Sequence, residues 1–180
     1  MNMKQLLLFV FAIFSLTACH DSEPEYADPE VHEKTEKLRE QYAPLIVGTW
    51  HLEIIGDKRR CFERLTFQPD ATLTGMRKFQ KRTLVTVNGQ QHYTDWEDVE
   101  EMNGPFKGNW QLRWDRNSNG KGDNMIILYA EYDDPSAFAL AYSIMGLFDD
   151  ANETTLRFQG FIQDEHGWTV YQRGEAEPSF

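Results

Sequence analysis

Residues 45–180 read as an all-β domain, an antiparallel up-and-down β-barrel of about eight to ten strands, with a short helix at 29–44 before it. From Val47 onward, apolar and polar residues alternate in period two rather than at helical spacing. The alternating runs are joined by turn-forming segments such as Gly56-Asp57-Lys58, Asn88-Gly89, Asn119-Gly120, Asp133-Asp134-Pro135 and His166-Gly167. No helical stretch interrupts them, so successive strands are expected to pair as hairpins. A sandwich satisfies the same pattern, but a closed barrel is favoured because it leaves no strand edge to protect.

The helix at 29–44 has Asp28 as its cap and Pro29 at its first position. Val31, Leu38 and Tyr42 form a thin apolar stripe among Glu, Lys and Arg, and Pro44 is expected to end the helix. In the first strand Trp50, Leu52 and Ile54 alternate with Thr49, His51 and Glu53. Cys61, Leu65 and Phe67 share a face of the second, and Pro69-Asp70 turns the chain into a third at 72–79. Further strands are expected at 83–88, 91–96, 107–114, 124–131, 138–148, 154–163 and 168–173. Within 137–148, Phe138, Leu140, Tyr142 and Ile144 alternate with Ala137, Ala139, Ala141 and Ser143. Such a wall either borders a cavity or packs tightly. Glu63 falls on the apolar face of its strand. A buried carboxylate needs a cation or hydrogen bonds, and Arg113 or Arg157 is the expected partner.

Ahead of the domain, Lys4 precedes the apolar run from Leu6 to Leu16, and small residues follow. This has the form of a secretory signal peptide over 1–18, shorter than the span of about 20 residues that a membrane helix needs. Leu16-Thr17-Ala18-Cys19 resembles the lipobox of bacterial lipoproteins. The resemblance implies acylation of Cys19, which becomes the new N-terminus, and attachment to a membrane through acyl chains that contribute about 0.8 kcal/mol per buried methylene. His20, where an Asp would signal inner-membrane retention, implies the outer membrane. The acidic, proline-containing segment that follows reads as a solvated tether over 19–28. It also resembles the acidic signals that send some lipoproteins to the cell surface, so both the periplasmic and the cell-surface face stay open.

Removing 1–18 takes away only Lys4 among the charges and leaves 17 basic against 29 acidic residues, a net of −12. This argues against nucleic acid as a partner and confines membrane contact to the acyl chains. With Cys19 acylated only Cys61 remains, so no intramolecular disulfide is expected. Cys61 itself reads as a buried packing residue.

Gly48-Thr49-Trp50 opens the first strand behind the helix, Leu65-Thr66-Phe67-Gln68-Pro69-Asp70-Ala71-Thr72 forms the second hairpin, and Gly108-Asn109-Trp110-Gln111-Leu112 repeats the G-x-W form. Over residues 45–175 the chain resembles the lipocalin-like, calycin-type domains of bacterial lipoproteins. The resemblance implies that Trp50 plugs one end of the barrel, with Gly48 before it. It also implies that an arginine of the last strand, Arg173 first and Arg157 second, packs on the indole. The count of ten strands departs from the family's eight, and there is no disulfide framework.

Asp115, Asn117, Asn119 and Asp123 fall at the first, third, fifth and ninth positions of a calcium-loop pattern with Gly120 at the sixth. Ile126 occupies the place of the required twelfth-position acid, so a plain hairpin loop is the favoured reading and no metal is assigned. Asp95 to Glu101 reads as a solvated acidic loop. His20, His32, His51, His92 and His166 have no metal-ligand spacing, and no catalytic triad or cofactor motif is present. The expected function is therefore non-catalytic: binding of a small apolar or amphipathic molecule, with Phe67, Trp110, Trp114, Phe138 and Glu63 as candidate ligand contacts. The alternative is a protein–protein interaction module, an accessory subunit or inhibitor, with a filled barrel.

Overall fold

The computed structural model describes residues 28–116, 119–132, 142–160, 163–164 and 166–180. Helix α1 spans Pro29–Ile46, with the Asp28 carboxylate accepting a hydrogen bond from the Glu30 amide at 2.9 Å. It runs two residues beyond the expected stop at Pro44, although a proline inside a helix forfeits one backbone bond. Tertiary contacts hold the extra residues. Ile46 is fully buried, its carbonyl accepts the Trp50 indole N–H at 2.7 Å, and the Arg173 guanidinium donates to the Leu45 carbonyl.

The strands are β1 Gly48–Ile55, β2 Arg59–Phe67, β3 Thr72–Lys81, β4 Leu84–Val87, β5 Gln90–Tyr93 and β6 Glu97–Asp98. A 3-10 turn follows at Glu100–Met102, and then β7 Gly104–Arg116, β8 Gly122–Tyr132, β9 Tyr142–Ala151, β10 Thr155–Phe158 and β11 Thr169–Arg173. Eight of them close into an antiparallel barrel in the order β1-β2-β3-β7-β8-β9-β10-β11, with β11 returning to β1. The excess over eight is thereby explained: β4 and β5 pair with each other in a separate hairpin. The two-residue β6 extends the edge of β3 beyond its pairing with β7. The segment read as a signal peptide, Cys19, most of the segment read as a tether, Asn117, Asp133-Asp134-Pro135 and Phe138 lie outside the described residues.

Strand register stacks the inward side chains in rows. Across β1, β2 and β3 these are Gly48, Phe67 and Leu73, then Trp50, Leu65 and Gly75, then Leu52, Glu63 and Arg77, then Ile54, Cys61 and Phe79. Gly75 is small because the ring of Phe106 lies over it, and a Cβ there would come within 2.3 Å of that ring. Helix α1 lies across the end of the barrel that holds the first two rows. Leu38 and Ile46 join the core, and Tyr42 meets Phe148 edge-on with ring centroids 4.9 Å apart. The buried Thr35 hydroxyl accepts from the Trp114 amide at 3.1 Å, and Arg39 donates to the Leu112 carbonyl at 3.0 Å.

Trp50 is completely buried at this closed end, with the Arg173 guanidinium 4.3 Å from its ring centre. Arg173 also donates to the Val47 carbonyl at 3.2 Å, so one side chain satisfies the end of the helix and covers the indole. Gly48 makes this arrangement possible. Its φ of +132° suits glycine alone, and a Cβ would stand 2.7 Å from Arg173 Nη1.

The chain after β11 folds back over the outside of β1–β3. Arg64 donates to the Ala176 carbonyl at 3.1 Å and pairs with Glu177 at 2.7 Å, while the Ser179 amide donates to Glu53 at 2.7 Å. Phe62, which lies between Glu53 and Lys78 on this outer face, has no exposed surface. Phe180 stacks on Arg60 at 4.4 Å, Arg60 on Trp96 at 4.5 Å, Trp96 on Arg82 at 4.4 Å and Arg82 on Tyr93 at 4.3 Å. This alternating cation–aromatic ladder ties the tail and the β4–β5 hairpin to the barrel wall.

Gly48→Ala should lower the unfolding free energy by about 1–3 kcal/mol through backbone strain. Arg173→Ala should lower it by about 1 kcal/mol, given its exposed position. In the double variant the side-chain clash is gone and only the strain remains, so urea denaturation should show a combined loss smaller than the sum. Strict additivity would contradict the shared geometry.

Candidate functional site

In the middle of the barrel, period two turns Glu63 of β2 inward, and the neighbouring strand turns Arg77 toward it. Glu63 has no exposed surface and Arg77 only 3 %. Arg77 donates to Glu63 Oε1 from Nη2 at 2.6 Å and from Nε at 3.2 Å, and the Tyr171 hydroxyl of β11 donates to Oε2 at 2.6 Å. The partner is therefore neither of the arginines that were expected. Arg113 and Arg157 have outward parity and pair with Asp115 at 3.2 Å and Asp149 at 3.1 Å. Period two applied to β3 points to Arg77, since Leu73, Arg77 and Phe79 alternate with Thr74, Met76 and Lys78.

This polar layer divides the interior. Toward α1 the barrel is packed: Phe67 meets Trp110 edge-on at 5.3 Å, and Phe158 stacks on Tyr171 at 5.2 Å. Trp110 donates its indole N–H to the Gln68 carbonyl at 3.0 Å. Trp114 lies further along β7 beneath the helix, with Lys34 Nζ 4.2 Å above its ring. Phe67, Trp110 and Trp114 thus gather at the closed end, and Glu63 sits in the layer above them with both oxygens held by protein donors.

On the other side of the polar layer the barrel opens into a cup of about 690 Å³. That size falls within the roughly 300–1,000 Å³ of small-molecule sites. Its apolar surface comes from Ile54, Cys61, Phe79, Val99 and Met102. Ile54, Phe79 and Met102 are only half-buried, whereas Cys61 is almost fully buried at the floor. Burial pushes the Cys61 thiol up to about 12, with the Glu63 charge adding to the shift and Arg77 opposing it. At neutral pH it is a neutral packing group, not a nucleophile.

Val99 comes from the segment read as a solvated acidic loop, and Met102 follows that segment directly. That segment instead carries β6, whose Asp98 accepts from Gln80 at 2.8 Å, and the 3-10 turn that brings Met102 to the cup. The signal for this was Val99 among the acids with Met102 three residues on.

The described calcium-pattern residues belong to the β7–β8 hairpin. Asp115 and Asp123 stand opposite each other on β7 and β8, and Asn119 lies in the exposed turn. Among the described residues no three His, Cys, Asp or Glu side chains converge to hold a metal.

A second hollow of about 560 Å³ lies outside the barrel between α1 and the β7–β8 wall, bordered by Ala43, Val47, Pro69, Ala71 and Tyr129. Next to it the outward residues Ile127 and Tyr129 of β8 and Met145 and Leu147 of β9 are apolar, with Tyr129 48 % and Met145 68 % exposed. The chain matches no protein-family model, no curated protein and no solved structure.

Two outcomes are expected from this geometry. Arg77→Met leaves a buried charge unpaired and should cost about 3–5 kcal/mol in urea unfolding, whereas Glu63→Leu, Arg77→Met and Tyr171→Phe together should recover most of the loss. A single variant as benign as the triple would contradict the ion-pair assignment. The Cys61 thiol keeps its proton in the folded chain above the pH at which the unfolded chain loses it. Its contribution to stability is therefore complete below pH 9 and falls as pH rises toward 12, with a slope of at most about 1.4 kcal/mol per pH unit. The difference in unfolding free energy between the wild type and Cys61→Ala should shrink over that window, and a pH-independent difference would contradict the shift.

Proposed function

We propose that the protein is a lipocalin-like envelope lipoprotein, held to the outer membrane by acyl chains on Cys19, whose barrel binds a small amphipathic molecule without catalysing its conversion. The observation that carries this reading is the cup at the end of the barrel opposite α1, with half-buried Ile54, Phe79 and Met102 around a packed floor. Half-exposed apolar side chains in a concave site gain by being covered, at roughly 25 cal/mol per Å². The ligand would seat above the Glu63–Arg77 layer and not in the packed half around Phe67 and Trp110. The neutral Cys61 thiol at the floor supports a binding role over nucleophilic chemistry. The lipobox form, His20 and the acidic tether support the anchor and its address.

A second reading is supported by the exposed apolar wall at Tyr129 and Met145 beside the outer hollow: a protein–protein interaction module whose partner docks on β8–β9.

Every wall strand and the whole described core come from residues 28–180, so the chain from His20 on retains the complete barrel. Calorimetric titration of that chain with decanol should show saturable binding that Met102→Asp weakens at least about tenfold and Met145→Asp leaves within about twofold. A stoichiometric protein partner lost with Met145→Asp, together with no decanol binding, would favour the second reading. In cells, radiolabelled palmitate should label the full chain and not its Cys19→Ala variant. Equal labelling of both would remove the anchor.

A further inference from the structure

The rim of the cup carries an arrangement that apolar binding does not need. Arg59 of β2 and Lys81 of β3 are direct partners across the ladder, and both have the inward parity of Cys61 and Phe79. Like charges placed directly opposite each other destabilise a strand pair. Lys58, in the turn before β2, adds a third cation, and no carboxylate is among the residues that line the cup. Glu97 of β6 is the partner of Lys81 on its other side, yet no ion pair forms between them. Among the described residues Lys58, Arg59 and Lys81 pair with no acid. Other described cations do pair with acids, as Arg64 does with Glu177 at 2.7 Å and Arg157 with Asp149 at 3.1 Å. The fourth rim cation, Arg60, is taken up by Trp96, Phe180 and a 2.7 Å bond to Gln80.

We infer that the cup selects anionic amphiphiles: molecules with one apolar chain seated against Ile54, Phe79 and Met102 and a carboxylate or phosphate head held by Lys58, Arg59 and Lys81. This rests on the cup being a ligand site and adds the charge of the ligand. An anionic head relieves the repulsion between Arg59 and Lys81, so its binding is favoured by that relief as well as by direct attraction. Flexible exposed lysine and arginine side chains at a rim can follow heads of different size, so carboxylate and phosphate are both accommodated.

The test is calorimetric titration of the chain from His20 on with decanoate, decyl phosphate and decanol, all below their micelle concentrations, at low and high NaCl. Decanoate and decyl phosphate should bind about tenfold or more tightly than decanol, and high salt should narrow that gap. The Lys58→Gln, Arg59→Gln, Lys81→Gln variant, checked for folding by circular dichroism, should bring the anions to the affinity of decanol. Equal binding of the three ligands by the wild type, or an unchanged preference in the variant, would overturn the charge selection and leave apolar binding standing. Binding of none of them would remove the cup as a ligand site altogether. Sedimentation with anionic lipid vesicles that depends on the same three cations would assign them to a membrane surface and overturn the inference.

Discussion

The buried Glu63–Arg77–Tyr171 group is the constraint on which the rest of the barrel depends. A carboxylate with no exposed surface is tolerated only because three protein hydrogen bonds meet it, and those donors come from β3 and β11 on either side of the β1–β2 pair. All three side chains must therefore be in register at once. A slip of one residue in β2 would turn Glu63 to the outside and carry Phe62 or Arg64 inward, leaving Arg77 buried without its acid. The ion pair adds little net stability compared with an apolar filling of the same volume, but it penalises every other pairing of these strands.

The same layer sets the depth of the interior. An eight-stranded barrel is narrow enough for side chains to fill, and below Glu63 they do, through Phe67, Leu65, Trp110 and the Trp50 plug. Above it the described wall continues with one apolar row, Ile54, Cys61 and Phe79, below the rim pair Arg59 and Lys81. The result is a cup rather than a deep calyx. Trp50 and Arg173 belong to the other end, where they join the helix to the first and last strands. The two features most visible in the sequence, the G-x-W signature and the aromatic run near Trp110, thus mark the packed end and not the open one.

The wall was legible because period two is a local property. Each strand announces its inward face, and Glu63 stood out on β2 for that reason. The partner of Glu63 was missed because the same parity was not followed onto the next strand of the hairpin. Arg113 and Arg157 were reasonable partners by charge, yet both sit at positions of outward parity, while Arg77 shares the face of Leu73 and Phe79 on the strand that β2 actually pairs with. The two strands beyond eight were legible as strands but not as a separate hairpin, since β4 and β5 alternate too weakly to reveal a buried face. The cup was hidden for a third reason. Val99 lies in a segment whose composition is that of a solvated loop and Met102 directly follows it, and only the pairing of β6 with β3 brings that segment over the opening.

A net charge of −11 makes a cationic rim look out of place, but screening resolves the apparent conflict. At physiological ionic strength the Debye length is about 8 Å, so a small anion at the mouth responds to the charges within that distance and hardly to the sum over the chain. The charged residues that line the cup are Lys58, Arg59, Arg60 and Lys81, while the acids next to them in the chain or the ladder, Asp57, Glu97, Asp98 and Glu100, are not part of its lining. The outer wall keeps its own cations away from the balance, because Arg60 and Arg82 are stacked between Phe180, Trp96 and Tyr93. The acidic surface elsewhere then acts on larger bodies, such as an anionic membrane, which meet the whole domain at once and are repelled. If the cup takes anions as proposed, an acidic exterior with a locally cationic cup would favour a dissolved anion over an anionic surface, which meets the whole domain at once.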